Sequence, residues 1–514
     1  METNCRARSK RSRFGRARYR RRRLLALLVL AFLFFGIGTQ AAAFFKAEGA
    51  GSADTAETAK SKPDVVLNRG RQKTEAGTPQ SRGSPNVILI LADDLDKSVF
   101  SRTTLDSAWV TEGTSFSNAL ATTSLCCPSR ASILKGQYAH NTGLVNNENF
   151  ESGGGAQYFR EEGLDRRTLA TLLKGEGYET WFGGKYLNGY ESAGGGGGYV
   201  PPGWDSWQAY VHSYQANVDG HTIALQEHYT DWLSGRASKF IVGRRDPSKP
   251  FFMKIAPFDT HEPLSIPPRH ARAYPNARAP HPPSFDEKDV SDKPQWVRNQ
   301  LPLGAGAIAS FDEQQVLRMR SALTLEDLSE NVIAALKRAH QLDNTYLIFT
   351  SDNGYQMGLH GIKVTKFIPY TEAHEVPLVV RGPGVPAGAS FDELVANIDI
   401  APTVLDLAGV EEPGWMDGRS FEPFLGGDAP ETWRDSLLIE GVRSDSPKRP
   451  AYSGMRRQEE IYVRYESGEE EFYDLRKDPY QLESRPQDAP ASLKEKLGAL
   501  KNCAREGCRR AEGP

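Results

Sequence analysis

Pro85-Asn-Val-Ile-Leu-Ile-Leu-Ala92-Asp93-Asp94-Leu95-Asp96 is the stretch on which the fold of this 514-residue chain turns. From Val87 to Ala92 it is continuously apolar and rich in β-formers. A half-buried strand alternates apolar and polar residues; this one does not, so it reads as buried on both faces, as in the parallel sheet of an α/β protein. Asp93 and Asp94 then stand at its C-terminal end, where open α/β sheets carry their sites. In isolation such a pair is more often a solvated, capping loop.

Working outward, the pattern repeats. Tyr178–Phe182 leads to Gly183-Gly184-Lys185, and Pro250–Pro257 leads to Phe258-Asp259-Thr260-His261-Glu262-Pro263. Thr345–Thr350 leads to Ser351-Asp352-Asn353-Gly354, and Val376–Arg381 reads as a further strand. Between them, Thr168–Lys174 has helical character, and Leu325, Leu328, Val332, Leu336 and Ala339 follow helical spacing, predicting an amphipathic helix over about 313–340. The proline-rich run from Leu264 to about Pro302 reads as a surface excursion, and Tyr199–Trp207 as a rigid segment on the substrate side. From 426 the character changes. Tyr462–Tyr465 and Glu471–Leu475 alternate like half-buried strands joined by a Ser-Gly turn, and a helix follows over Ala491–Lys501. The expected architecture is α/β: a large mixed, mostly parallel sheet flanked by helices, with a smaller C-terminal antiparallel sheet plus helix.

The second informative stretch is Leu125-Cys126-Cys127-Pro128-Ser129-Arg130-Ala131-Ser132-Ile133-Leu134-Lys135-Gly136. Pro128 suits a first helical turn and Gly136 a helix stop. A cysteine at a helix N-terminus sits in positive potential, which is expected to lower its pKa, and Arg130 adds a fixed cation one turn on.

Composition bounds the rest. With 39% hydrophobic and 25% charged residues the chain is an ordinary globular protein, and five cysteines are too few for a disulfide scaffold. Cys503 and Cys508 are close enough for one local bridge, or are two free thiols in a tail. Residues 1–23 carry about +10, which leaves roughly −12 for the remainder. A basic arm alone could bind nucleic acid, but here the apolar run Leu24–Gly38 follows at once, and that order is export logic. Ala41-Ala42-Ala43 offers small residues for cleavage, while a run extended to Phe45 could span a bilayer uncut; Arg21-Arg22 also fits twin-arginine export. The expected organisation is a basic cytoplasmic leader (1–23), a signal peptide or membrane anchor (24–45), a flexible linker (46–84), a catalytic domain (85–425) and a C-terminal subdomain (426–514). The product is secreted, or anchored facing outside; no nucleic-acid partner is expected.

Cys126-Cys127-Pro128-Ser129-Arg130, with Leu134-Lys135-Gly136 behind it, resembles the signature of the type I sulfatases of the alkaline-phosphatase superfamily. Asp93-Asp94, Gly184-Lys185, a histidine in a proline-rich loop, Asp352-Asn353-Gly354, and Lys366 ahead of Pro369-Tyr370 occur in the family's order, over residues 85 to about 483. Gly184-Lys185-Tyr186-Leu187-Asn188 and Val200-Pro-Pro-Gly-Trp204 are similar in spelling to the N-acetylglucosamine-6-sulfatases.

The resemblance implies hydrolysis of sulfate esters, of a sulfated carbohydrate or an aryl sulfate. A formylglycine-generating enzyme would convert Cys126 to formylglycine, whose gem-diol attacks sulfur and then collapses to expel sulfate. Arg130, Lys185, His261 and Lys366 are the implied catalytic residues. Asp93, Asp94, Asp352 and Asn353 offer only oxygen, so with residue 126 they would hold one hard cation, Ca²⁺ in preference to Mg²⁺. Two departures stand out: Leu187 replaces a usual histidine, and Ala256-Pro257-Phe258 replaces Ala-Pro-His, leaving His261 three residues late. Two other readings remain open: a phosphonate monoester or phosphodiester hydrolase of the same superfamily, and a sulfated-glycan binding protein whose altered histidines weaken turnover.

Overall fold

A computed structural model describes residues 84–514 except 148–150, 152, 195–196, 213 and 443–449. The leader, the apolar run over 24–45 and nearly all of the linker lie outside the described residues. Among the described residues, no helix is long and apolar enough to cross a membrane.

The strands of the main sheet are β1 (Asn86–Ala92), β2 (Thr114–Leu120), β3 (Glu179–Gly184), β4 (Ser206–His212), β5 (Gln215–Val218), β6 (His221–Ala224), β7 (Phe251–Ala256), β8 (Thr345–Ser351), β9 (Leu378–Arg381) and β10 (Ser390–Ala396). They lie in the order β10-β2-β9-β8-β1-β7-β3-β4-β5-β6. The run β8-β1-β7-β3-β4 is parallel throughout. β9 is antiparallel to both of its neighbours, and β5 and β6 extend the far edge as antiparallel strands. The sheet is therefore mixed and mostly parallel, as expected.

β1 is central because its side chains are apolar on both faces. Val87, Leu89 and Leu91 enter one core, and Ile88, Ile90 and Ala92 enter the other, so every side chain of the strand is shielded. Each such aliphatic burial contributes about 1.5–3 kcal/mol before chain entropy is subtracted. The helices that cover the faces are α1 (Cys126–Lys135), α2 (Leu169–Gly175), α3 (Tyr229–Val242) and α4 (Ala305–Arg338). α1 ends at Gly136, whose φ of 63° is the left-handed conformation that closes a helix.

A second sheet, β11 (Ser436–Gly441), β12 (Tyr452–Arg457), β13 (Glu460–Tyr465) and β14 (Glu470–Asp474), is antiparallel throughout. Its core, with Leu437, Leu438, Met455 and Tyr462, packs on α5 (Ala491–Leu500) and on Leu120 and Tyr138 of the larger unit. α6 (Glu506–Glu512) follows, and a Cys503–Cys508 disulfide ties the turn after α5 to α6.

Several boundaries differ from expectation. α4 starts at Ala305, eight residues early, because Gly304-Ala305-Gly306 hides a helix start in small residues. β3 runs on through Gly183-Gly184, and β9 begins only after Pro377, which has no N–H for a ladder. The Tyr199–Trp207 segment is anchored by its two tryptophans. Trp204 and Trp207 are buried in an aromatic cluster, Trp207 stacked on Phe182 at 4.2 Å between ring centroids.

Candidate active site

The C-terminal ends of four adjacent strands and the N-terminus of α1 converge on one point. Asp93 and Asp94 follow β1, Asp352 and Asn353 follow β8, Lys185 follows β3, and His261 lies five residues beyond β7. Lys185 reaches the site because β3 ends in Gly184, at φ 115°. A Cβ there would lie 1.9 Å from the Ala256 carbonyl oxygen, so only glycine lets the two strand ends close up.

The contacts are short and charged. Lys185 Nζ donates to Asp93 Oδ2 at 2.5 Å, and Lys366 Nζ donates to Asp94 Oδ1 at 2.5 Å and to Cys126 Sγ at 2.8 Å. Arg130, one helical turn below Cys126, donates from Nε to Asp352 Oδ2 at 2.7 Å and from Nη1 to the Lys185 carbonyl at 2.8 Å. His261 Nε2 stands 3.7 Å from Asp94 Oδ2, with its ring 4.8 Å from that of Phe258. Every residue singled out from the sequence is thus at this centre. Leu187, the residue in the missing histidine's place, is instead packed in the core.

Burial and charge compete here. Desolvation would raise the Asp93 carboxyl, but Lys185, His261, Arg130 and Lys366 together hold it far below the usual range. Burial pushes Asp352 above its ordinary value despite Arg130. Cys126 corrects an expectation. Burial drives its thiol well above the ordinary value, and Lys185 and Lys366 do not compensate. A helix N-terminus acts over about one turn and is weak beside full desolvation of a thiolate. As a plain thiol, Cys126 would be a poor nucleophile at neutral pH.

The donor set fits a hard cation. One ligand atom each from Asp93, Asp94, Cys126 and His261 lie within 4.8 Å of one another. Asn353 Oδ1 is buried with no hydrogen-bond partner among the described residues, an acceptor left over for a cation. The Asp352 carboxylate is already engaged at both oxygens, by Arg130 Nε at one and by the Asp94 N–H (3.0 Å) at the other.

Sequence reasoning missed the supports. Arg318 of α4 is fully buried, donates to the Asp94 carbonyl at 2.6 Å and to Asp96 Oδ2 at 2.5 Å, and stacks 3.8 Å over Tyr355. A charged residue in phase with the apolar stripe of α4 is its only signal. Ser129 donates to the Asp352 carbonyl and accepts from Asn397 Nδ2 at 2.9 Å, tying the start of α1 to the end of β8.

Acidic parallel-strand ends thus face a helix-borne cysteine among fixed cations, on a fold of the alkaline-phosphatase-like α/β class. The chain belongs to the sulfatase family: the model described as "Sulfatase" matches residues 85–410, and "N-sulphoglucosamine sulphohydrolase, C-terminal" matches 358–502. It is 36% identical over 384 residues to the N-acetylglucosamine-6-sulfatase of Capra hircus, covering 71% of this chain and 68% of that one. Its fold is similar to that of a protein solved in complex with its substrate D-glucosamine-2-N,6-O-disulfate, with a TM-score of 0.69, 23% identity, and 84% and 100% of the two chains covered. The fold also resembles the phosphonate monoester hydrolase of Agrobacterium radiobacter (TM-score 0.62, 22% identity, 81% and 95% covered). The chain is a sulfuric ester hydrolase, and hydrolysis of sulfate esters is its reaction.

Proposed function

We propose that this enzyme removes sulfate from a sulfated amino sugar, N-acetylglucosamine-6-sulfate or a near analogue, outside the cytoplasm. The observation that carries the reading is the placement of Cys126 Sγ, 2.8 Å from Lys366 Nζ and within the ring formed by Asp93, Asp94 and His261. The curated relative supports the sugar. The apolar run over 24–45 supports secretion or anchoring, with 46–84 as linker, 85–425 as catalytic domain and 426–514 as C-terminal subdomain.

Asp93, Asp94, Asp352, Asn353 and residue 126 would hold the cation, Ca²⁺ by donor hardness, which supplies a fixed positive charge toward the sulfate oxygens. Formylglycine at 126, made by a formylglycine-generating enzyme, supplies in hydrated form the attacking oxygen and releases sulfate on returning to the aldehyde. The remaining work falls to the chain's own groups. Lys185 and Lys366 face the charge that grows on the sulfate oxygens as the ester S–O bond breaks, a preorganised arrangement worth far more in a dry site than in water. Arg130 holds Asp352 and the Lys185 carbonyl so that those cations keep their aim. His261 stands at the mouth, its side chain a quarter exposed, where it can pass a proton to the departing alcohol oxygen.

Mass spectrometry of the Cys126 peptide, on protein exported from its own host, tests the nucleophile. A peptide lighter by the exchange of CH₂–SH for CH=O, and reactive toward carbonyl traps, is expected. An unmodified cysteine in a host that modifies other such motifs would overturn it. Parallel assays on N-acetylglucosamine-6-sulfate, an aryl sulfate and a phosphonate monoester test the substrate; a preference for phosphorus would sink the reading.

A further inference from the structure

His261 is the site residue that the sheet serves least. Asp93, Asp94, Lys185, Asp352 and Asn353 stand within two residues of a strand end, whereas His261 lies five residues beyond β7, on a loop. Its own contacts do not fix that loop: Nδ1 meets the carbonyl of the next residue, Glu262, and Nε2 is 3.7 Å from Asp94 Oδ2. Loops move more than the elements they join, so a proton donor placed on one needs a tether.

Two residues earlier, Asp259 supplies one. Its carboxylate is buried, and the catalytic chemistry leaves it unused. Oδ1 accepts from Ser321 Oγ of α4 at 2.6 Å, and Oδ2 accepts from Thr230 Oγ1 of α3. The main chain is clasped as well. The Asp93 N–H donates to the Asp259 carbonyl at 3.0 Å, and the Thr260 N–H donates back to the Asp93 carbonyl at 2.8 Å. Arg318 Nη1 donates to the Thr260 carbonyl at 3.4 Å, and the His261 N–H closes the turn on the Phe258 carbonyl at 3.0 Å. Any residue at 259 would make its main-chain bond; only a forked acceptor joins both helices. Burying a carboxylate is costly unless its oxygens are hydrogen-bonded, and here two neutral hydroxyls meet that need.

We propose that Asp259 is a positioning residue: by bridging α3 and α4 it holds the His261 ring where it passes its proton to the departing alcohol oxygen. The inference deepens the proposed function and rests on the role given there to His261. A misplacement of about 1 Å costs on the order of 10²-fold in rate. That cost falls on esters whose leaving oxygen is strongly basic and needs the proton. A weakly basic leaving group, such as 4-nitrophenolate, departs without it.

The test is steady-state kinetics of the matured, full-length enzyme on N-acetylglucosamine-6-sulfate and on aryl sulfates from 4-nitrophenyl to 4-methoxyphenyl. Asp259→Ala should lower kcat on the sugar sulfate by on the order of 10²-fold, but on 4-nitrophenyl sulfate by no more than about threefold, with KM little changed. Asp259→Asn keeps the fork and should recover most of the loss. Ser321→Ala cuts one leg of the bridge and should show the same bias in weaker form, which keeps the test open if Asp259→Ala does not fold. In a His261→Ala background, Asp259→Ala should cost nothing further. Equal losses on all esters, no rescue by asparagine, or additive losses in the double variant overturn the proposal. A His261→Ala enzyme without leaving-group bias strikes the proton-donor role instead, and additivity still decides whether Asp259 acts through His261. If the parent turns over no sulfate ester, the carbon-13 NMR signal of the His261 imidazole decides. It should shift or broaden in Asp259→Ala and return in Asp259→Asn; an unchanged signal overturns the proposal.

Discussion

Two buried ionic clusters in this molecule are built from the same residue types and do opposite things. At the sheet end, Asp93, Asp94 and Asp352 meet Arg130, Lys185 and Lys366, and the cluster keeps one acceptor, Asn353 Oδ1, without a partner. Under the C-terminal sheet, Asp399 and Glu512 meet Arg434, and Tyr138 closes the set by donating to Glu512 Oε1 at 2.6 Å. The second cluster joins four chain segments distant in sequence and pins α6 to the body. The first lies at strand ends and reaches solvent through His261. Burial alone therefore does not mark a catalytic cluster, and neither does an orphan atom, since Arg434 Nε and Nη1 also lack hydrogen-bond partners among the described residues; the mark is an orphan acceptor, Asn353 Oδ1, beside carboxylates at a solvent-reaching edge.

The sharpest way to break this contrast is Cys126→Ala. Sulfate-ester turnover should fall by on the order of 10⁴-fold or more with the folded state retained by circular dichroism, because the substitution removes the reacting group and only one side-chain heavy atom. A variant that keeps appreciable turnover would end the contrast at once. Arg434→Met probes the other side. Stranding Asp399 and Glu512 should cost about 3–5 kcal/mol in urea unfolding, with kcat/KM on an aryl sulfate unchanged in the folded protein. Lys366→Ala should then lower kcat by on the order of 10²-fold with little change in secondary structure by circular dichroism. A purely structural Lys366 would show the reverse pattern, lost folding and retained kcat.

The smallest effect is one of pH. Burial opposes protonation of His140, but the hydrogen bond and charge of Glu440, 3.0 Å from Nδ1, outweigh it and raise its pKa to about 9. Because the folded value exceeds the unfolded value near 6.5, the stability this pair lends is full below about pH 6.5 and fades as pH rises through about 9. The melting-temperature gap between parent and His140→Gln should accordingly shrink from pH 6 to pH 9.5. A gap that widens would reverse the assignment.

The contrast also separates residues that announce themselves locally from those that do not. Asp93, Asp94, Cys126, Lys185, Asp352 and Asn353 are legible in the sequence because they sit within two residues of a strand end or helix start, and those ends are marked by local apolar runs and by Gly or Pro. His261 and Lys366, although in loops, are reachable through their motif order. Arg318, Asn397 and Glu512 are not, because each acts on residues hundreds of positions away and looks locally like a surface side chain. Helix α4 shows itself through its interior period but not at its start, where glycine and alanine carry no period. The thiol pKa of Cys126 runs against its sequence expectation for a related reason: helix position is a local property, whereas desolvation depends on the whole fold.

One consequence concerns timing. Cys126 is 0% exposed, and every residue of α1 from Cys126 to Lys135 is buried beneath the sheet ends. If a separate enzyme oxidises this side chain, as proposed above, it needs the surrounding peptide extended and reachable. Once β1, β8 and α1 have come together, that access is gone. Maturation and folding would then be competitors for the same segment, and a chain that folded first would be trapped as a stable but unarmed protein. The fraction of armed enzyme in a cell would be set during biosynthesis, by how long the nascent segment waits before the sheet closes over it.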